Sequence, residues 1–130
     1  MYMCQICFEQ PGSHSFYFLK SEENINYYYT CPAKAIRYWD TNGIINHYDE
    51  ILHLNGEKSW IWIFDSKNFG LKHTLQTGVA FGILQLLKDK YGKYLKEIQI
   101  INPSIHIKSM YTILYPFLTQ ELIEIIKWEN

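Results

Sequence analysis

Cys4 and Cys7 form the C-x-x-C spacing that both redox couples and metal sites use, and Cys31, His14 and His47 are further donors that could complete a zinc tetrahedron. A structural zinc site as a rule shows a second closely spaced ligand pair, whereas Cys31 has no Cys or His a few residues away. A thioredoxin-type couple sits at a strand-to-helix turn, and here Gln10-Pro11-Gly12 follows Cys7 almost at once. The expectation from spacing is three reduced thiols in a reducing cytosol, with no metal and no cofactor.

Asp65 ends an apolar run and His73 follows eight residues later, the most enzyme-like pair in the chain, because α/β sheets place ligands at the carboxyl ends of their strands. Without a nucleophile or a second carboxylate, the pair reads better as a turn cap and a hydrogen-bonded structural imidazole. No G-x-S-x-G surrounds Ser59, Ser66 or Ser104, and Gly78-Val79-Ala80-Phe81-Gly82 lies inside a helical pattern, not at a phosphate-binding turn. Its glycines, four apart, suit close packing or leave room beside the helix for a ligand. No catalytic residue is expected. Lys90, Lys93 and Lys96 cluster near Tyr91-Gly92 and are candidates for transient contact with an anionic membrane, although interleaved Asp89 and Glu97 favour a solvated face.

The chain that positions these groups has 130 residues, 48% hydrophobic, 17% aromatic and 19% charged, with a formal charge of -1, which describes one ordered domain and no dedicated nucleic-acid binder. The densest apolar runs, Trp60 to Phe64 and Ile83 to Leu87, fall far short of the roughly 20 residues a membrane-spanning helix needs. Met1-Tyr2-Met3-Cys4-Gln5 carries no basic start of a secretory leader, so a cytoplasmic protein is expected. Val79 is the only valine and Arg37 the only arginine, a skew that matches AT-rich codons.

The first 32 residues read as strand-rich, with His14 to Lys20 alternating and Tyr27-Tyr28-Tyr29 inside a second run; an exposed edge there would favour a homodimer. Ala33 to Asp40 is either extended or a short helical turn. Ile44, Ile45, Tyr48, Ile51 and Leu52 then recur at helical spacing after an Asp40/Thr41 cap, and Asn55-Gly56 stops the pattern. Trp60 to Phe64 is apolar on both pleat faces, as a central strand covered by helices on both sides would be. A helix over Thr74 to Tyr91, a strand over Ile98 to Ile101, a helix over Ser104 to Tyr115 opened by Asn102-Pro103, and a strand over Ile123 to Trp128 complete the pattern. The expected fold is α/β: a small mixed, largely parallel sheet with helices packed on it, preceded by the strand-rich segment.

Three blocks resemble the CRAL-TRIO lipid-binding domain of the yeast phosphatidylinositol-transfer-protein type. They are Trp60-Ile61-Trp62-Ile63-Phe64-Asp65 with Gly70-Leu71-Lys72-His73; Lys90-Tyr91-Gly92-Lys93-Tyr94-Leu95-Lys96-Glu97-Ile98, similar to the family's Tyr-Pro-x-x-Leu before a strand; and Ile100-Ile101-Asn102-Pro103 leading to Tyr115-Pro116-Phe117-Leu118. The chain has Gly92 where the family has Pro. The resemblance covers residues 30–128, with 1–29 as a divergent extension of a single domain. It implies a non-enzymatic domain that holds a lipid or other small hydrophobic molecule between sheet and helices. The ligand-facing positions expected are Trp60, Trp62, Phe64, Phe81, Ile107, Tyr111 and Leu114. The alternative, suggested by divergent relatives in small-GTPase regulators, is a protein-interaction adaptor with a filled core, whose contact surface would be exposed aromatics such as Tyr27 to Tyr29 or Trp128.

Overall fold

The computed structural model describes residues 4–129. Their order is α1 (Gln5–Glu9), β1 (Tyr17–Glu22), β2 (Ile25–Thr30), α2 (Thr41–Asn55), β3 (Trp60–Asp65), α3 (Leu71–Leu75), α4 (Thr77–Leu86), β4 (Leu95–Ile101), α5 (Ile105–Leu114), α6 (Gln120–Ile125) and β5 (Ile126–Glu129). The five strands form one sheet in chain order, β1 antiparallel to β2 and the other neighbours parallel. This is the α/β fold expected, a mixed and mostly parallel sheet with six helices packed on it.

Local chemistry sets the boundaries. α2 starts where the Asp40 side chain accepts the Gly43 amide at 3.2 Å. It stops at Gly56, whose φ of 62° is open to glycine at little cost. α1 is an addition to the expected strand-rich start: Cys4 caps it through its sulfur, which accepts the Cys7 amide. The stretch Ala33 to Asp40, open between extended chain and helical turn, starts within a 3-10 turn over Pro32–Lys34. The single helix expected over Thr74 to Tyr91 is instead α3, a break at Gln76, α4 and a π turn over Leu87–Tyr91. That π turn accounts for Gly92. Its amide donates to the Leu87 carbonyl, and a Cβ there would stand 2.7 Å from the same oxygen, so neither Pro nor a larger residue fits without a shift. The expected strand over Ile123 to Trp128 begins later, because Thr119 caps α6 by accepting the Leu122 amide at 3.2 Å.

The sheet is covered on one side, which corrects the expectation for β3. Register aligns Tyr28, Trp62, Ile98 and Ile126 in one row and Thr30, Phe64, Ile100 and Trp128 in the next. These rows face the helices. The alternate rows, Tyr27-Ile61-Glu97 and Tyr29-Ile63-Gln99-Lys127, face away from them. The reason is topological: successive parallel strands joined by crossovers of one hand deliver every helix to the same side. β3 is nonetheless apolar on both faces because tyrosines and the stems of long polar side chains flank its isoleucines, leaving Ile61 buried.

Phe16 centres the aromatic part of the core. Its ring stacks on Tyr48 at 4.0 Å and Tyr28 at 5.4 Å, and meets Trp60 and Trp62 edge-on. α4 lies against α2 through Gly78, which faces Thr41, and Gly82, which faces Ile45. The glycine pair therefore serves helix-on-helix packing. β1 is an edge strand exposed along its whole length, carrying a bulge at Leu19 and the ion pair Lys20–Glu22, two features that discourage edge pairing.

Candidate functional site

Between the covered face of the sheet and the helices lies a cavity of about 130 Å³. Its floor is Trp62 and Phe64 of β3, Ile98 and Ile100 of β4, and Ile126 of β5. Its roof comes from Ile83, Leu84 and Leu87 on one side and Ile107, Met110, Tyr111 and Leu114 of α5 on the other, with Leu118 and Leu122 closing the end. Tyr38 and Phe69 complete the wall. Periodicity dictates this lining: alternate residues of each strand point to the helices, and α5 turns its 107, 110, 111 and 114 positions to the sheet.

Nearly every lining atom is carbon, and the polar atoms are few. The indole N–H of Trp62 is buried and has no hydrogen-bond partner. Tyr38 carries a phenol whose ionisation burial pushes far above its ordinary range, so it stays a neutral hydroxyl. Such a space takes an apolar molecule with at most one or two hydrogen-bonding groups.

Of the positions expected to face a ligand, Trp62, Phe64, Ile107, Tyr111 and Leu114 line this cavity. Trp60 and Phe81 do not. The Trp60 indole donates to the Tyr91 carbonyl at 3.2 Å, and the Phe81 ring packs edge-on against Phe117 at 5.0 Å. Sequence reasoning missed Tyr38 and Phe69, which sit in loops without a period; helix-borne Leu84 and Met110 carried the signal, as did strand-borne Ile98. Beside the cavity, Ile113, Tyr115 and Phe117 leave an apolar rim exposed.

The lysine cluster is partly engaged. Lys90 Nζ lies 3.2 Å from Asp49 Oδ2, Lys93 stands over the Tyr94 ring, and Lys96 is exposed where the β3–β4 register slips.

Asp65 and His73 have separate structural duties. Asp65 accepts the Tyr29 hydroxyl at 2.5 Å, the Asn102 amide at 3.0 Å and the Lys67 backbone N–H at 3.0 Å. Burial works to raise its pKa, and these bonds outweigh it and hold the carboxyl below its ordinary value. His73 Nδ1 accepts the Gly70 amide at 2.9 Å, and its ring packs against Tyr38 and Phe69. Of the Tyr27 to Tyr29 run, strand alternation buries Tyr28, whose hydroxyl donates to Asn55, and leaves Tyr27 and Tyr29 half-buried on the face turned away from the helices.

Residues 5–130 match the CRAL/TRIO domain family, from α1 through β5, and the chain belongs to that family. Domains of this family in general bind a lipid or another small hydrophobic molecule and are not enzymes. No curated protein matches the chain. Among the described residues, no helix is long and apolar enough to cross a membrane.

Proposed function

We propose that this chain binds one small hydrophobic molecule, or the apolar end of a longer lipid, in the cavity between β3–β5 and α4–α6. The supporting observation is the cavity itself, about 130 Å³ with an apolar wall and an unpartnered Trp62 N–H. An engineered cavity of about 150 Å³ in another protein holds benzene, which sets the scale. As it stands, the space takes a ring or a short branched chain, and a whole phospholipid requires α5 and α6 to part from the sheet. Affinity comes from apolar burial, at about 25 cal/mol per Å². The Trp62 N–H supplies a preference for ligands with a hydrogen-bond acceptor. Loading takes place at an anionic membrane, with the exposed Ile113–Phe117 rim and the lysines at 90, 93 and 96 making transient contact.

Native mass spectrometry of freshly purified protein, paired with a lipid analysis of its solvent extract, tests the reading. A stoichiometric added mass identified as an apolar molecule is expected. Trp62→Phe should weaken a ligand carrying an acceptor by about tenfold, the worth of one hydrogen bond, and leave a pure hydrocarbon unaffected. A bare chain mass that stays unchanged after incubation with phosphatidylcholine and phosphatidylinositol vesicles, and with small aromatic and isoprenoid compounds, would overturn it in favour of the adaptor.

A further inference from the structure

Away from the cavity, folding brings together four residues that lie far apart in sequence. Cys4 caps α1, Cys7 lies in α1, His14 precedes β1, and His47 sits on the inner face of α2; all four are buried. Their inward donor atoms, two sulfurs and two imidazole nitrogens, lie within 4.8 Å of one another. Cys31 is elsewhere, with its sulfur 3.8 Å from the Lys67 carbonyl.

The separations have the size of a coordination tetrahedron. Cys4 Sγ is 3.5 Å from His14 Nδ1, Cys7 Sγ is 3.6 Å from the same nitrogen, and Cys7 Sγ is 3.8 Å from His47 Nδ1. Zinc–sulfur bonds of about 2.3 Å and zinc–nitrogen bonds of about 2.0 Å, held at tetrahedral angles, put sulfur and nitrogen about 3.5 Å apart.

Both imidazoles are also turned the right way round. His47 Nε2 lies 2.7 Å from the Phe16 carbonyl, which can only accept, so the proton is on Nε2 and the Nδ1 lone pair faces the sulfurs. His14 Nε2 lies 3.5 Å from Asp40 Oδ2, a carboxylate oxygen that Arg37 Nε also approaches at 3.5 Å. A backbone carbonyl behind one imidazole and a carboxylate behind the other is the outer arrangement that orients metal-ligating histidines. The Cys7 amide donates to Cys4 Sγ at 3.4 Å, which fixes the position of that sulfur against α1.

We infer that Cys4, Cys7, His14 and His47 hold one structural zinc ion. Two thiolates and two neutral imidazoles neutralise its charge, and binding releases the two thiol protons to solvent. With four protein donors and no open position, the ion takes no part in chemistry and instead fastens α1 and its following turn to α2.

Elemental analysis of the full chain, purified under reducing conditions without chelator, is expected to find about one zinc per chain, as a closed four-ligand site requires. Replacement by Co²⁺ should give the intense visible bands of tetrahedral cobalt and a thiolate charge-transfer band in the near ultraviolet. Cys31→Ser should keep both signals, and Cys4→Ser should lose the charge-transfer intensity or the metal. Because a ligand variant is free to unfold for want of metal, the deciding measurement uses the unaltered chain: titrating its thiols with a mercurial should release zinc to a chromogenic chelator. A folded chain that carries no metal and takes up none when offered Zn²⁺ would overturn the inference in favour of a metal-free thiol–imidazole cluster. Iron in place of zinc would overturn it as well.

Discussion

A Cβ added to Gly82 would lie 2.8 Å from Cδ1 of Ile45, whereas one added to Gly78, a turn earlier on the same helix, would find Thr41 no nearer than 3.7 Å. The two glycines therefore answer differently to substitution. Gly78→Ala should stabilise the fold by about 0.5–1 kcal/mol through helix propensity. Gly82→Val should destabilise it by about 1–3 kcal/mol, since Ile45 must give way. Urea unfolding of both variants checks the contrast, and equal effects would mean that α4 does not rest on α2 as described.

Asn55, the last residue of α2, leaves none of its buried side chain unpaired. Its oxygen accepts from Asn26 at 2.8 Å and Tyr28 at 3.1 Å, and its nitrogen donates to the Lys58 carbonyl at 2.9 Å. Asn55→Ala strands three partners and should lower stability by about 2–3 kcal/mol. Tyr28→Phe removes a single bond and should cost about 1 kcal/mol, which thermal or urea unfolding can separate from the larger loss.

The Asp65–Tyr29 contact predicts how stability varies with pH. The Asp65 carboxyl is held below its ordinary value by hydrogen bonds that outweigh burial, so its contribution is present above the unfolded pKa of about 3.9 and is lost as pH falls through the folded one. Tyr29 is shifted the opposite way, first by burial and then by Asp65, so its contribution holds below the unfolded phenol pKa of about 10 and fades above it. Unfolding midpoints across pH should show both limbs. Tyr29→Phe should make the alkaline limb shallower, with Tyr38, Tyr48 and Tyr91, which are raised in the same direction, keeping the rest of it, and Asp65→Asn should flatten the acidic one. Neither change should alter ligand uptake, because the pair lies on the sheet face opposite the cavity.

Met110 is buried in the cavity wall. Met110→Ala enlarges the space and should destabilise the free protein by about 2–5 kcal/mol. A small aromatic compound should recover part of that loss, and its shift in melting temperature should exceed the shift it gives the unaltered chain. A shift no larger in the variant would mean that the compound binds elsewhere.

Much of the architecture was legible in residue order. The Asp40 cap, the Asn55-Gly56 stop and the apolar run at Trp60 to Phe64 each carry their own local signal, and α2 and β3 form where those signals place them. The helix over Thr74 to Tyr91 was legible only as a period, because the break at Gln76 and the π turn before Gly92 are backbone events with no strong residue signature. Half of the cavity could be read from strand alternation and the period of α5. Tyr38 and Phe69 arrive from loops, where no period exists. The donors of the Cys/His cluster were legible as residue types, but spacing argued against a site because no second close pair exists: His47 lies 40 residues from Cys7 and becomes its neighbour only in the fold.

Because the strands lie in the sheet in the order they occur in the chain, each one emerging from the ribosome meets a partner already made. No strand has to wait for a later one to open a gap for it, so the sheet can grow by addition at one border while synthesis proceeds, the other border being the β1 edge throughout. Assembly in this order keeps most pairings close in sequence for a parallel sheet, which favours rapid closure of each unit. The cavity floor takes its last strand from β5 and its end wall from Leu122, so the cavity is complete only once α6 and β5 are in place.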